Sequence, residues 1–508
     1  MAQTEQKNQN VKKQFEELQS LLERAMALQT SMVLFEWDDE TLAPKGAAEH
    51  TARVIGSLSE QYQEILASMR FKELLDVCLK AEKENAGVFD EVQSAILREA
   101  AEEQERLSCI PPEEYRAYAE LTARATGIWT RAREKNDFAS FAPVLKEIIS
   151  YQKKFAAYRA KPGQKLYDVM LDTYEKGFNM EMLDPFFELM KGKIVPLLKE
   201  SAERSKTVPD AFLSADYPEA AQAEAARFLA EYEGFDFDRG VLALSAHPFT
   251  TNLHNHDVRI TTHYSDRVDS SLFSVIHEAG HGIYELGIGD ELTQTLAGQG
   301  ASMGMHESQS RFYENHVGRT REFWENLYPY LQNEVPKYKE ISLDTFLAAL
   351  NKVKPGLIRL KADELTNTLH IIIRYEIEKE YFDGKLTVDT IEEAWNRKYQ
   401  EYLGFTPKNH QEGILQDVHW ASGCVGYFQG YALGDAYAAQ FAHKLLADCP
   451  DAFEKLGKGD SSVIGNWLKE HIHQYGQTYS AREMLKKATG EELNTGYYIE
   501  YLKEKYLH

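Results

Sequence analysis

The chain has 508 residues, only 31 of them Gly and 15 Pro, and carries 57 Lys plus Arg against 80 Asp plus Glu, a formal charge of −23 with a pI of about 5.2. That acidic balance repels phosphate backbones and anionic headgroups, so neither nucleic acid nor a membrane surface is expected as a partner. No run reaches the ~18 apolar residues that cross a bilayer, the start MAQTEQKNQN lacks the apolar segment of a secretion signal, and the four cysteines (Cys78, Cys109, Cys424, Cys449) form no CxxC pair; a reduced, cytoplasmic protein is expected.

Along the chain, Val11, Phe15, Leu18, Leu22 and Ala25 recur at spacings of three and four, the pattern of an amphipathic helix. The same texture predicts helices over 88–108, 112–135, 140–160, 180–204, 217–232, 361–383, 388–403, 428–447 and 479–489, separated by breaks such as CIPPEE, AKPGQK, GKLT and GFTPK. One stretch departs from it. From Leu242 to Tyr264, LALSAHPFTTNLHNHDVRITTHY is poor in helix formers and rich in Thr, Val, Ile and His, with alternation in DVRITTHY, which predicts a small antiparallel sheet. No repeat or long linker divides the text. The expected fold class is therefore mainly α, a single unit over 1–508 or two helical lobes flanking a groove, with its chemistry-bearing motifs in 242–435.

Half of the chain's histidines fall between His247 and His316: His247, His254, His256, His263, His277, His281, His306 and His316. Among them HEAGH, residues 277 to 281, places His277 and His281 about 40° apart on one helix face with Glu278 beside them. Two imidazoles and a carboxylate, with a fourth position open to water, make a catalytic zinc site, and Glu278 is placed to take that water's proton. At this histidine content such a motif arises by chance about 0.05 times in a chain this long. Leu272, Val275, Ile276, Ala279, Ile283 and Leu286 lie on the opposite face, so the helix has its core stripe without the histidines.

The third ligand is not fixed by the motif. The three-histidine pattern HExxHxxGxxH fails, because positions 284 and 287 are Tyr284 and Gly287. The carboxylates left are Glu291, Glu307 and Glu314; Glu285 lies on the same helix, a turn beyond the metal. Glu307 and Glu314 sit on GMHESQSRFYENHVG, read as the next helix.

HEAGH followed 26 residues later by the glutamate of HESQ resembles the carboxypeptidase Taq family of zinc carboxypeptidases. HPF (His247 to Phe249), DVRIT (Asp257 to Thr261), HES (His306 to Ser308), IRLKAD (Ile358 to Asp363) and GILQDVHW (Gly413 to Trp420) each look like one of that family's signature blocks, in its order, and WDDETLAPKGAAEH and GYFQGYALG look like it too. The resemblance covers nearly the whole chain. It implies a helical body with a deep groove, similar to neurolysin and angiotensin-converting enzyme, usually a homodimer. It further implies one zinc per chain, with cobalt as a substitute metal, and Glu307 as third ligand.

A carboxypeptidase must hold a free C-terminal carboxylate, which a guanidinium fork does with two charged hydrogen bonds. Arg359 and Arg259 are the candidates, Arg359 first; a plain ion pair with Asp363 or Asp257 is the bland alternative. His419, with Tyr427 and Tyr431 just downstream, supplies donors for the charge that develops on the tetrahedral intermediate. His247 is placed near the metal or at a turn, Asp417 beside a histidine ring or in solvent, and the sheet offers an edge for an extended peptide. The expected activity is removal of single residues from peptide C-termini. An endo-acting oligopeptidase on the same scaffold is the nearest rival, and a binding protein with an incidental zinc the more distant one.

Overall fold

In the computed structural model, which describes residues 2–44, 46–215 and 217–507, the predicted helices form close to their expected bounds. The apolar spacing at Val11 to Ala25 belongs to a longer helix, Ala2–Thr41. Those predicted from 88 to 232 appear as Glu91–Ser108, Pro112–Glu134, Phe138–Arg159, Met180–Ser205 and Glu219–Glu233. Starts follow local chemistry: Asp90, Asn179 and Ser302 each accept a hydrogen bond from a backbone N–H in the first turn of the helix they precede. The helix predicted over 361–383 begins only at Glu364, because Asp363 caps it through Thr366 N at 2.9 Å and Arg359–Lys361 forms a separate 3₁₀ turn.

The sheet corrects an expectation. It has three strands, β1 (Gly240–Leu244), β2 (Thr250–His254) and β3 (Asp257–Thr262), in the order β1-β3-β2. β2 and β3 form an antiparallel hairpin, but β1 runs parallel to β3, so the sheet is mixed. Alternation reports only which side chains face inward, and it is the same for either strand direction. Residues 245–249 carry the chain from β1 on one side of β3 to β2 on the other. DVRIT is thus the central strand, and the free edges belong to β1 and β2.

Most of the apolar interior is one cluster reaching from Ala132 to Leu502. A second forms where the helices Ala2–Thr41, Met69–Glu84 and Glu91–Ser108 bury Phe15, Leu22, Phe71, Leu75 and Leu97 against Ile288, Leu292 and Ala297. The helix that carries HEAGH, Val268–Gly287, lies within the first cluster. Its stripe of Leu272, Val275, Ile276, Ala279, Ile283 and Leu286 is buried, with β3 contributing Val258 and Ile260 to the same interior.

Candidate metal centre

The HES helix, Met303–Arg311, crosses the HEAGH helix on one side and the helix Gln429–Asp448 on the other. Both crossings are close enough to need glycine. A Cβ on Gly280 would lie 2.9 Å from Gln309 O and Ser310 Cα, and one on Gly434 would lie 2.7 Å from Glu307 Cγ. Glycine at each crossing therefore lets the HES helix sit between its neighbours.

That packing brings Glu307 to the histidines. One ligand atom from each of His277, His281 and Glu307 falls within 4.8 Å of the others, with Glu307 Oε2 3.8 Å from His277 Nε2 and 3.4 Å from His281 Nε2. The far nitrogen of each ring is occupied: His277 Nδ1 meets Glu314 Oε2 at 2.9 Å, and His281 Nδ1 meets His306 Nδ1 at 2.5 Å. Each ring is thus turned with Nε2 toward Glu307. Two imidazole nitrogens and one carboxylate oxygen are the donor set of a metal site that keeps a position open.

Arg311 donates from Nε to Glu307 Oε1 at 2.7 Å and from Nη1 to Glu314 Oε2 at 3.1 Å, and Arg319 reaches Glu314 as well. Burial would raise both carboxyl groups, yet Arg311 and the histidines hold both well below the usual carboxylate range. His277 and His281 diverge. For His277 burial is outweighed by Glu307 and Glu314, which push it up to about 9; for His281 burial and the neighbouring His306 push it down to about 3. Glu278 is buried, its carboxyl raised by desolvation, and Oε2 accepts from Thr250 Oγ1 at 2.7 Å.

After the HES helix the chain does not continue as a plain α-helix. Phe312–Val317 forms a π turn, and Glu314 on it becomes the partner of His277 rather than a member of the triad. Glu291 is exposed and outside the triad.

A second cluster gathers the remaining candidates. Arg359 Nε donates to Asp417 Oδ1 at 2.9 Å, while the fully buried Arg374 holds Asp417 Oδ2 from Nε at 2.7 Å and Nη2 at 2.6 Å. Asp417 therefore orients arginines, neither a histidine ring nor a solvated surface. Among the described residues, neither Nη of Arg359 donates to another protein group, and its guanidinium lies 5.1 Å from the Tyr431 ring centroid. His419 Nε2 meets Tyr431 Oη at 3.3 Å and packs on Phe428, with Tyr427 and Tyr431 in edge contact. Burial, then Arg359, pushes His419 down to about 4, and burial raises both phenols, so near pH 7 these groups are neutral and able to donate. Arg259 is more committed: Asp257 takes both Nε and Nη2 at 2.9 Å, and the guanidinium stacks over Trp37. His247 is exposed on the connection between β1 and β2.

The Carboxypeptidase Taq (M32) metallopeptidase profile matches residues 17–506. The chain belongs to the carboxypeptidase Taq family. It is 42% identical to Carboxypeptidase 1 of Bacillus subtilis (strain 168) over 488 residues, covering 96% of each chain. It is 36% identical to Thermostable carboxypeptidase 1 of Thermus thermophilus, covering 96% of this chain and 98% of that one. The crystal structure of the M32 carboxypeptidase from Deinococcus radiodurans R1 superposes with a TM-score of 0.93 at 32% identity, over 97% of this chain and 99% of that one. As a carboxypeptidase Taq family member the chain is a metallocarboxypeptidase, a peptide hydrolase, and its His277, His281 and Glu307 form a triad able to hold a metal ion.

The sequence had no signal for Arg374 or Thr250 as partners in this site, and it marked His306 only as part of the histidine cluster and the HES block. Thr250 lies just past HPF and Arg374 within an apolar helix, and only the tertiary fold brings them to Glu278 and Asp417.

Proposed function

We propose that this carboxypeptidase Taq family member is a cytoplasmic, homodimeric zinc exopeptidase that releases one residue at a time from peptide C-termini. A zinc ion at the triad would supply Lewis acidity to the scissile carbonyl and to water. Glu278 accepts the proton of the attacking water and returns it to the leaving amine nitrogen; burial raises its carboxyl above the usual carboxylate range, which favours both halves of that transfer. Thr250 holds the carboxyl from one side. Neutral His419 and the protonated Tyr427 and Tyr431 donate toward the developing oxyanion, and Arg359 receives the substrate's terminal carboxylate. Arg259 and His247 stand further along the peptide.

The observation that carries the exopeptidase reading is the state of Arg359. Asp417 pins its Nε from below, Arg374 pins Asp417 in turn, and the two Nη groups are left as a fork of the kind that binds a carboxylate. The zinc assignment rests on the donor set, and the dimer and the compartment on the family resemblance, with the free thiols in keeping with a reducing location.

A short peptide and its C-terminally amidated twin test the reading by mass spectrometry. The free acid is expected to shorten one residue at a time and the amide to persist. Arg359→Ala should lower kcat/KM on the free acid by about 10- to 100-fold, the worth of hydrogen bonds to a charged partner. Internal cleavage of both peptides would replace the exopeptidase reading with an endopeptidase one.

A further inference from the structure

The two metal-site histidines are held by different means. His277 Nδ1 faces a carboxylate directly, whereas His281 Nδ1 faces another imidazole nitrogen, His306 Nδ1. Only one hydrogen fits between two ring nitrogens, so one of them must be the acceptor. The other end of His306 decides which. His306 Nε2 lies 2.7 Å from Glu285 Oε1, and the buried Glu285 carboxylate also receives Asn252 Nδ2 and Gly300 N. A carboxylate already supplied with donors acts as acceptor, which requires a hydrogen on His306 Nε2, and in the neutral ring that leaves Nδ1 as a lone pair. His281 must then carry its hydrogen on Nδ1, with its Nε2 lone pair turned into the triad.

We propose that His306 is a positioning residue for the metal: Glu285 fixes the tautomer of His306, and His306 fixes the metal-binding tautomer and ring orientation of His281. The inference rests on His277, His281 and Glu307 being the metal ligands. It separates the two residues of the HES pair, since Glu307 binds the metal and His306 orients a ligand. It also makes Glu285, one helical turn beyond His281, part of the metal site.

Zinc dissociation constants, measured by competition with a chromophoric chelator, test this without reference to turnover. His306→Ala should bind zinc about 10- to 100-fold more weakly than the wild type, with the melting temperature of the metal-free protein nearly unchanged. His306→Gln should recover most of the affinity, because its Oε1 can accept from His281 and its Nε2 can donate to Glu285. Glu285→Gln should weaken binding, because an amide that donates permits the wrong tautomer of His306. Wild-type affinity in His306→Ala overturns the proposal, as does equal weakening by Ala and Gln together with a lowered metal-free melting temperature, which would mean packing alone. A wild-type protein that takes up no zinc would sink the zinc reading itself, a result distinct from a His306 variant that fails to differ.

Discussion

At the scale of single residues, Glu278 and the ligands depend on opposite uses of burial. Desolvation raises Glu278, giving a carboxyl that can gain and lose a proton, while the guanidinium of Arg311 keeps the equally buried Glu307 ionised and fit to bind a cation. Glu278→Gln preserves size and the bond from Thr250 but removes the proposed base. It should lower kcat by about 10²- to 10⁴-fold with zinc content by atomic absorption unchanged, and full turnover in a metal-loaded variant would exclude Glu278 as the base. His277, His281 and Glu278 were legible because their relation is local, fixed by helical pitch. Glu307 was one of three carboxylates until the resemblance singled it out, because its distance from HEAGH is set by how two helices cross.

At the scale of elements, the HES helix is positioned by glycines on one pair of neighbours and by a buried carboxylate at its start. Gly280→Ala would push a methyl group against Gln309 O and Ser310 Cα; overpacking of about 1–3 kcal/mol is expected. Calorimetry should show a lower melting temperature, and chelator competition weaker zinc binding, since Glu307 moves with its helix. At the N-terminal end Glu175 accepts from Ser302 Oγ, Gly304 N and Tyr437 Oη at 2.9 to 3.0 Å. Burial outweighs these bonds and lifts its pKa from 4.5 to about 7. The folded state therefore binds this proton more tightly than the unfolded chain. The resulting stability is full below about pH 4.5 and is lost as pH rises through 7, on the order of 3 kcal/mol. Urea titrations near pH 5 and pH 8 should show that loss in the wild type and a flatter dependence in Glu175→Gln. An unchanged slope would place the pH sensitivity elsewhere. Helix starts were placed early where apolar spacing ran past a capping side chain: the starts expected at 88 and 361 precede the helices that Asp90 and Asp363 cap, which begin at Glu91 and Glu364.

At the scale of the whole molecule, the first helices build a core of their own and dock it on Ile288, Leu292 and Ala297, immediately after the HEAGH helix. Leu292→Ala removes a fully buried side chain from that junction, a cost of about 2–5 kcal/mol. Hydrogen exchange should accelerate through helices Ala2–Thr41, Met69–Glu84 and Glu91–Ser108 before it does in Gln429–Asp448; uniform acceleration would mean that the two cores open together. By itself the sequence determined the helical class, the extents of most helices and the HEAGH pair with Glu278 beside it, because apolar period, capping and an i,i+4 spacing act over a few residues. It also carried enough ordered motifs to identify the family. The parallel pairing of β1, the approach of Glu307 and Glu314 to the histidines, the chain Glu285–His306–His281 and the pairing of Arg359 with Asp417 and Arg374 were decided only by tertiary structure. Each joins residues through helix crossings and strand order, which follow from the packing of the entire interior and leave no periodic trace in the local sequence.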